Sequence, residues 1–377
     1  MLVVNIQEEG RFGGPQKRIA EVAKESKSRG CITIPIFPKD ESEKFQNLLK
    51  KYDVNFVTTQ MHRVTRDKVH LIKYFIFFPF EIFALYKILR RINPDLTHCN
   101  GSFQIKGAIA SKLAGIKCVW HMNDTMTLKP VYFIFNKLKG FLGDKFVAAS
   151  KRSAEYYFPD NYDEIAILPA PVMTESFSPD AVRTIVEIDK MKGIKVVTVG
   201  NVNPIKGFDT FINAAVHINK VVDKDINFII VGPLLENQKK LIEDLNEIIK
   251  SNNLINVHFL GRRDDIPSIL KSCDIYVCSS RFEASPISVW EAMSMAKPIV
   301  ATDVGDVKDI FEEYDCGLSV PVDNPQLMAE SIISIIENPI RMAELGKKAR
   351  EVAINHFDIS ACTKKHLDIY SDLINHN

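Results

Sequence analysis

Short, nearly unbroken runs of Val, Ile, Leu and Phe recur along the chain. Between them lie longer stretches in which apolar residues return every third or fourth position. The first half carries runs at 2–6, 31–37, 54–59, 95–99, 117–122, 145–150 and 164–169. The second carries them at 194–200, 226–232, 255–261, 274–280, 297–303 and 317–321. Runs without polar alternation predict strands buried on both faces. The helical stretches between them, such as 17–30 and 208–221, predict parallel crossovers. The alternation breaks once, at PAPVMTESFSPD (169–180), which is rich in Pro and Ser. The expectation is an α/β chain of two doubly wound, Rossmann-like domains, 1–172 and 173–356, with a last helix over 357–377. A length of 377 residues suits two cores better than one.

Two such domains would face each other across a cleft. Ligands of open parallel sheets bind outside the carboxyl ends of the strands, so the residues after each run carry the functional reading. Gly13 and Gly14 follow the first run in GGPQKR (13–18). This is either a plain strand-to-helix turn or a place where helix-start N–H groups receive a phosphate. It matches neither the dinucleotide nor the P-loop fingerprint. His121, in WHMND, is placed to meet a hydroxyl or to sit satisfied in the core; His98 is a weaker case. Lys206, in GNVNPIKGFD (200–209), is either an exposed loop lysine or a point charge for a diphosphate.

The stretch RFEASPISVWEA (281–292) sets Glu283 in a loop and Glu291 inside a helix opened by Pro286. Either Glu283 caps the helix and Glu291 faces water, or both accept hydrogen bonds from ligand hydroxyls beside a helix start that favours an anion. Gly305, in ATDVGDVKDI (301–310), offers one more backbone turn.

Composition changes this picture little: 46% hydrophobic and 25% charged residues describe a soluble globular chain. Seven cysteines without a Cys-x-x-Cys pair predict buried thiols in a reducing compartment. MLVVNIQEEG runs straight into a strand and then acid, which is no secretory signal. Charge changes it more. Through residue 175 there are 26 Lys and Arg against 18 Asp and Glu; thereafter there are 22 against 29. The basic half suits anionic lipid or an anionic substrate, and it lacks the basic-aromatic clustering that nucleic acid demands. The run YFIFFPFEIFALY (74–86) is too short to span a bilayer and is broken by Pro79 and Glu81. It reads as a core helix or as a segment, 71–89, lying on a membrane surface with Lys73, Lys87, Arg90 and Arg91 at its margins. Asp223 and Asp225 precede their strand, so they read as a solvated turn and no metal is expected.

In order, the Gly-Gly loop, the His after a strand, Lys206-Gly207, Glu283-x7-Glu291 and the turn at Gly305 resemble the retaining glycosyltransferases of family 4, which have the GT-B fold. The likeness spans essentially the whole chain and is most specific over 259–310. It implies a nucleotide-sugar donor in the second domain, an acceptor in the first, a last helix that crosses back to the first domain, and no cofactor. His121, Lys206 and Glu283 would serve catalysis: Lys206 on the donor diphosphate, Glu283 on sugar hydroxyls, His121 on the sugar. Glu291 would hold the ribose diol. The backbone of Ala284, Ser285, Pro286, Ile287 and Ser288 would cover sugar and phosphate, and Gly13 and Gly14 would close over the diphosphate.

Four positions depart from the family pattern. Asn201 stands where Arg is usual, so a phosphate contact is either lost or supplied by Arg262 or Arg263. Ala284 replaces Gly, and Asp306 and Asp309 replace Gly and Glu. The implied reaction moves a sugar from a nucleotide-diphosphate donor, UDP ahead of GDP, to a saccharide or lipid-linked saccharide in bacterial surface glycan assembly. The implied place is the cytoplasm or the inner face of the membrane. An epimerase of the same fold and a non-catalytic nucleotide-sugar-binding partner are the alternatives.

Overall fold

The computed structural model describes residues 1–65, 67–234 and 238–375. Met1–Pro171 together with Ile359–Asn377 form one compact unit, and Val172–Asp358 form a second.

Unit 1 alternates β1 (Leu2–Ile6), α1 (Gly14–Ser28), β2 (Ile32–Pro38), α2 (Glu43–Lys51), β3 (Val57–Thr59), α3 (Lys68–Ile92) and β4 (Leu96–Asn100). It continues through α4 (Ile105–Ala114), β5 (Lys117–Met122), α5 (Lys129–Leu142), β6 (Lys145–Ala148), α6 (Lys151–Tyr157) and β7 (Ala166–Ile167). The strands form one parallel sheet in the order β3-β2-β1-β4-β5-β6-β7. The winding reverses between β1 and β4. Right-handed crossovers therefore place α1 and α2 on one face and α3 to α6 on the other. Ile19, Phe37, Phe45 and Leu49 form the core on the first face. Leu85 and Leu89 of α3, Ala108 of α4, Phe135 of α5 and Tyr157 form it on the second.

Unit 2 opens with α7 (Val186–Asp189), β8 (Ile194–Val199), α8 (Phe208–Val221), β9 (Ile226–Val231), α9 (Lys239–Ser251) and β10 (Val257–Gly261). It proceeds through α10 (Ile266–Ser272), β11 (Ile275–Cys278), α11 (Ile287–Ser294), β12 (Ile299–Thr302), α12 (Val307–Tyr314), β13 (Leu318–Val320), α13 (Pro325–Glu337) and α14 (Pro339–Val352). Its parallel sheet runs β10-β9-β8-β11-β12-β13, and the winding reverses between β8 and β11. Phe211, Phe228, Ile275, Val277 and Met328 fill its core. The chain enters this unit at Val172 and leaves at Asp358. The two pair as a parallel bridge, with the Val172 N–H donating to the Phe357 carbonyl at 2.7 Å.

The last helix, α15 (Ile359–Asn375), returns to unit 1. There Tyr370 packs with Val3, Leu96 and Val119. This is the two-sheet GT-B architecture.

All thirteen apolar runs hold strands, with ends that match or shift by one to three residues. The seven cysteines are free and buried. The region around 74–86 departs from expectation. Neither Pro79 nor Glu81 breaks it, and α3 runs for 25 residues through both. Pro79 lies on the exposed side, so water can serve the carbonyl that loses its partner one turn back. Glu81 is drawn inward and buried. Nor is α3 a core helix, for only Tyr74, Glu81, Leu85 and Leu89 along it are buried.

Candidate active site

In unit 2 the strand order reverses at β8/β11, which is where open parallel sheets leave a crevice. Three adjacent strands, β8, β11 and β12, deliver their following loops there. The loop after β8 ends in a single turn of 3-10 helix, Pro204–Lys206, held at its start by the Asn203 side chain accepting from the Ile205 N–H. Gly207 then takes a left-handed conformation at φ +60°. A Cβ there would stand 2.1 Å from the Ser279 carbonyl oxygen, so only glycine lets this loop meet the one after β11. The Ser279 hydroxyl closes the junction by donating to the Lys206 carbonyl at 2.9 Å.

That junction presents two of the expected groups to each other. Lys206 Nζ donates to Glu283 Oε1 at 2.6 Å, and the Ser280 hydroxyl donates to the same oxygen at 2.9 Å. Burial opposes the ammonium's charge, but Glu283 beside it outweighs that and its pKa is raised. Both side chains keep about a fifth of their surface in solvent, 23% and 19%, so they are paired but reachable. Glu283 does not cap α11; its N-cap is Pro286, without a side-chain cap bond. Glu291, one turn into α11, is buried at 6% exposure, which removes the reading as a surface acid. Trp290 fixes the rotation of this helix. Its indole N–H donates to the Ser285 hydroxyl at 2.9 Å and its ring stacks on Phe357 at 4.1 Å. Gly305, at φ +56°, passes so close that a Cβ would lie 2.5 Å from the Ala284 carbonyl oxygen.

Arg281 was passed over by the sequence reading, although it opens the quoted stretch. Its guanidinium donates to Asp323 at 2.7 Å, to Asp209 at 2.6 Å and to the Pro204 carbonyl at 2.6 Å. It braces the turn that carries Lys206. Asn201 is exposed two residues past the end of β8. Arg262 follows β10, the edge strand two places from β8, and is half exposed; Arg263 is engaged with Asp265 at 2.6 Å.

In unit 1, Gly13 enters α1 in an extended conformation and Pro15 occupies the first turn. The Lys17 N–H is already spent on the Gly13 carbonyl. His121 lies inside β5, one residue before its end, and is fully buried. Its Nδ1 is 3.2 Å from His98 Nε2, and Arg18 Nη1 is 2.9 Å from the ring nitrogens. Arg18 also donates to Asn123 at 3.0 Å and to Asn100 at 2.5 Å. His98 reaches the Tyr370 hydroxyl on α15 at 2.6 Å. Burial, with Arg18 and neighbouring histidines adding to it, pushes His98 and His121 well below the usual imidazole pKa. His366 falls to about 4, chiefly through burial. These rings are neutral and enclosed. The side chains that do follow β5 are Asn123 and Asp124, the last two letters of WHMND, where the expectation rested on His121. Asp124 accepts from the Tyr157 hydroxyl at 2.5 Å, and burial raises its pKa.

Comparison with known proteins converges on one family. Residues 12–176 match the family model for Glycosyltransferase Family 4, and residues 184–352 match that for Glycosyl transferases group 1. A galactosyltransferase of Escherichia coli that acts on alpha-D-GlcNAc-diphosphoundecaprenol is 26% identical over 78% of this chain and 79% of its own. The N,N'-diacetylbacillosaminyl-diphospho-undecaprenol alpha-1,3-N-acetylgalactosaminyltransferase of Campylobacter jejuni is 26% identical over 94% of both chains. Among solved structures, Anabaena HepE in complex with UDP superposes with a TM-score of 0.83 at 19% identity, covering 99% of this chain and 100% of its own. A glycosyltransferase of Rickettsia africae superposes with 0.82 at 19%, covering 100% and 99%.

Proposed function

The chain belongs to the group 1, family 4 glycosyltransferases, and from that premise we propose that it moves a sugar from UDP to a lipid-linked saccharide. The observation that carries the donor assignment is the Lys206–Glu283 pair at the winding reversal of unit 2, 2.6 Å apart and reachable from solvent. A cation and an acid that neutralise each other at the mouth of a crevice can each turn to a ligand. Lys206 would meet the diphosphate and Glu283 the sugar hydroxyls, with Glu291 on the ribose diol. The backbone from Ala284 to Ser288 and the amino end of α11 would lie along the phosphates. Arg262 is the group to replace the phosphate contact that Asn201 lacks. Unit 1 would hold the acceptor. There His121 serves as a positioning residue, keeping Arg18 and Asn123 in place from behind.

The chemistry asked of these residues is to stabilise charge on the departing diphosphate, which Lys206 and the α11 N–H groups would do without metal. Transfer with retention follows if the acceptor oxygen attacks the anomeric carbon from the leaving group's side. The carbon–phosphate oxygen bond breaks as the new one forms, and the acceptor proton passes to the departing phosphate oxygen. An inverted anomer in the NMR spectrum of the first-formed product would overturn it.

Calorimetric titration with UDP, GDP, CDP and ADP tests the donor. UDP alone should bind. Lys206→Ala should weaken it about tenfold and lower kcat by roughly 10²–10³. Glu291→Ala should weaken binding with less effect on kcat. Relatives that act on diphosphoundecaprenol-linked sugars support a lipid-linked acceptor.

A further inference from the structure

Helices α3, α4 and α5 lie side by side on one face of the unit 1 sheet, sharing one core below them. Their outer surface is apolar and aromatic. Phe75, Phe80 and Phe83 on α3, Leu113 on α4, and Phe133 and Phe141 on α5 are each more than half exposed.

The charge on this face is one-sided. The three helices carry a single acid, Glu81, and it is turned inward. Lys106 donates to it at 2.7 Å, His62 lies 2.6 Å from its other oxygen, and Lys106 also stands 3.1 Å from the buried Glu8. What remains outside is eight exposed Lys and Arg, from Lys68 to Lys137. Several lie against the exposed rings. Lys87 is 4.4 Å from the Phe83 ring, Lys137 is 4.4 Å from Phe133, and Lys112 reaches from α4 to Phe141 of α5 at 5.3 Å. Ammonium groups carried on stems beside exposed rings are the arrangement an interfacial helix adopts, rings among acyl chains and cations among headgroups.

We propose that the α3–α4–α5 face seats the protein on an anionic lipid bilayer, lying on it rather than crossing it. The missing exposed carboxylates argue for an anionic occupant, since each basic residue near such a surface adds to binding and an acid would subtract. By length and composition α3 is long and apolar enough to span. Crossing would pull Leu85 and Leu89 from the core, part Glu81 from Lys106, and break the crossover that joins β3 to β4. The proposal deepens the lipid-linked reading of the acceptor and names the surface that would bring unit 1 to it.

Vesicle flotation tests the proposal. The whole protein is mixed with phosphatidylcholine vesicles, or with phosphatidylcholine and phosphatidylglycerol vesicles, and UDP binding is measured on the same preparation. It should float with the anionic vesicles only and less so in high salt. Phe80→Asp and Phe141→Asp should each lower the partition roughly tenfold or more while UDP binding stays unchanged. An effect from α5 as well as α3 distinguishes the shared face from a lone helix. No flotation with anionic vesicles, or a Phe141→Asp variant that floats like the native chain, overturns the proposal. So does a dimer in lipid-free light scattering that Phe80→Asp dissolves. Loss of UDP binding in the native protein would instead count against the donor reading.

Discussion

Gly207 and Gly13 look alike in the sequence, each a glycine before a helix, but they do different work. Gly207 sits at φ +60° with a carbonyl where its Cβ would go, whereas Gly13 is extended and its nearest obstacle is the Gln16 side chain at 3.5 Å. Gly207→Ala should cost about 1–3 kcal/mol of left-handed strain, with the clash added, and should weaken UDP binding by shifting Lys206. Gly13→Ala should leave stability within about 0.5 kcal/mol. Urea denaturation of both variants, with a UDP titration of each, separates the two roles. Lys206, Glu283 and Glu291 were legible because a cation before a glycine and two acids eight apart keep their meaning within one loop and one helix. Arg281 was not, because its partners Asp209 and Asp323 lie far away in sequence and only the sheet brings them together. His121 lies inside the 117–122 run, which matches β5 at both ends, yet the letters left open whether it meets a ligand or sits in the core, because Arg18 and His98, which enclose it, come from other elements.

At the scale of elements, all thirteen strands could be read because a run of apolar letters without polar alternation marks a parallel strand, buried most deeply towards the centre of each sheet and only partly at β3, β7 and β10. What the letters of α3 could not reveal was which side each faces. Its inward stripe is polar in part, with Glu81 held by Lys106, while its aromatic residues look outward. The last helix makes a pH-dependent attachment. His366 lies on α15, Tyr370 on the same helix reaches His98, and His98 meets His121. Above pH 6.5 these imidazoles are neutral both folded and unfolded and cost nothing. Below it the unfolded chain takes up protons that the folded one refuses, so stability falls. His366 alone should remove roughly 3 kcal/mol by about pH 4. Glu8 acts oppositely. Burial lifts its carboxyl to about 7, so between there and the usual carboxylate range the folded state binds the extra proton, and Asp124, raised by burial too, adds in the same direction, two groups against three. The thermal midpoint of unit 1 should therefore decline from about pH 6.5 downward. Tyr370→Phe should lower it at every pH by the worth of about one hydrogen bond, ~1 kcal/mol. A midpoint flat between pH 6.5 and 4.5 would refute this account of the histidines.

For the molecule as a whole, the two units have separate cores and should answer to different agents. Acid acts on the histidines of unit 1. UDP, if it binds unit 2, should stabilise that unit by about 2.7 kcal/mol at a hundredfold excess over Kd. Scanning calorimetry with and without UDP, at pH 7 and pH 5, should move one transition with each change. If both transitions moved together under either agent, the units would be unfolding as one. The unit boundaries also say something about descent. Val172 and Asp358 stand side by side as a parallel bridge, so the whole of unit 2 is strung between two neighbouring points of the chain. Closing so long an excursion costs unit 1 little loop entropy once unit 2 has folded and brought its own ends together. A module with touching ends is a cassette. Two cuts and two joins would exchange unit 2 for another and leave the thread of unit 1 intact. If unit 2 holds the donor, as proposed, such an exchange would change what is given without touching what receives it.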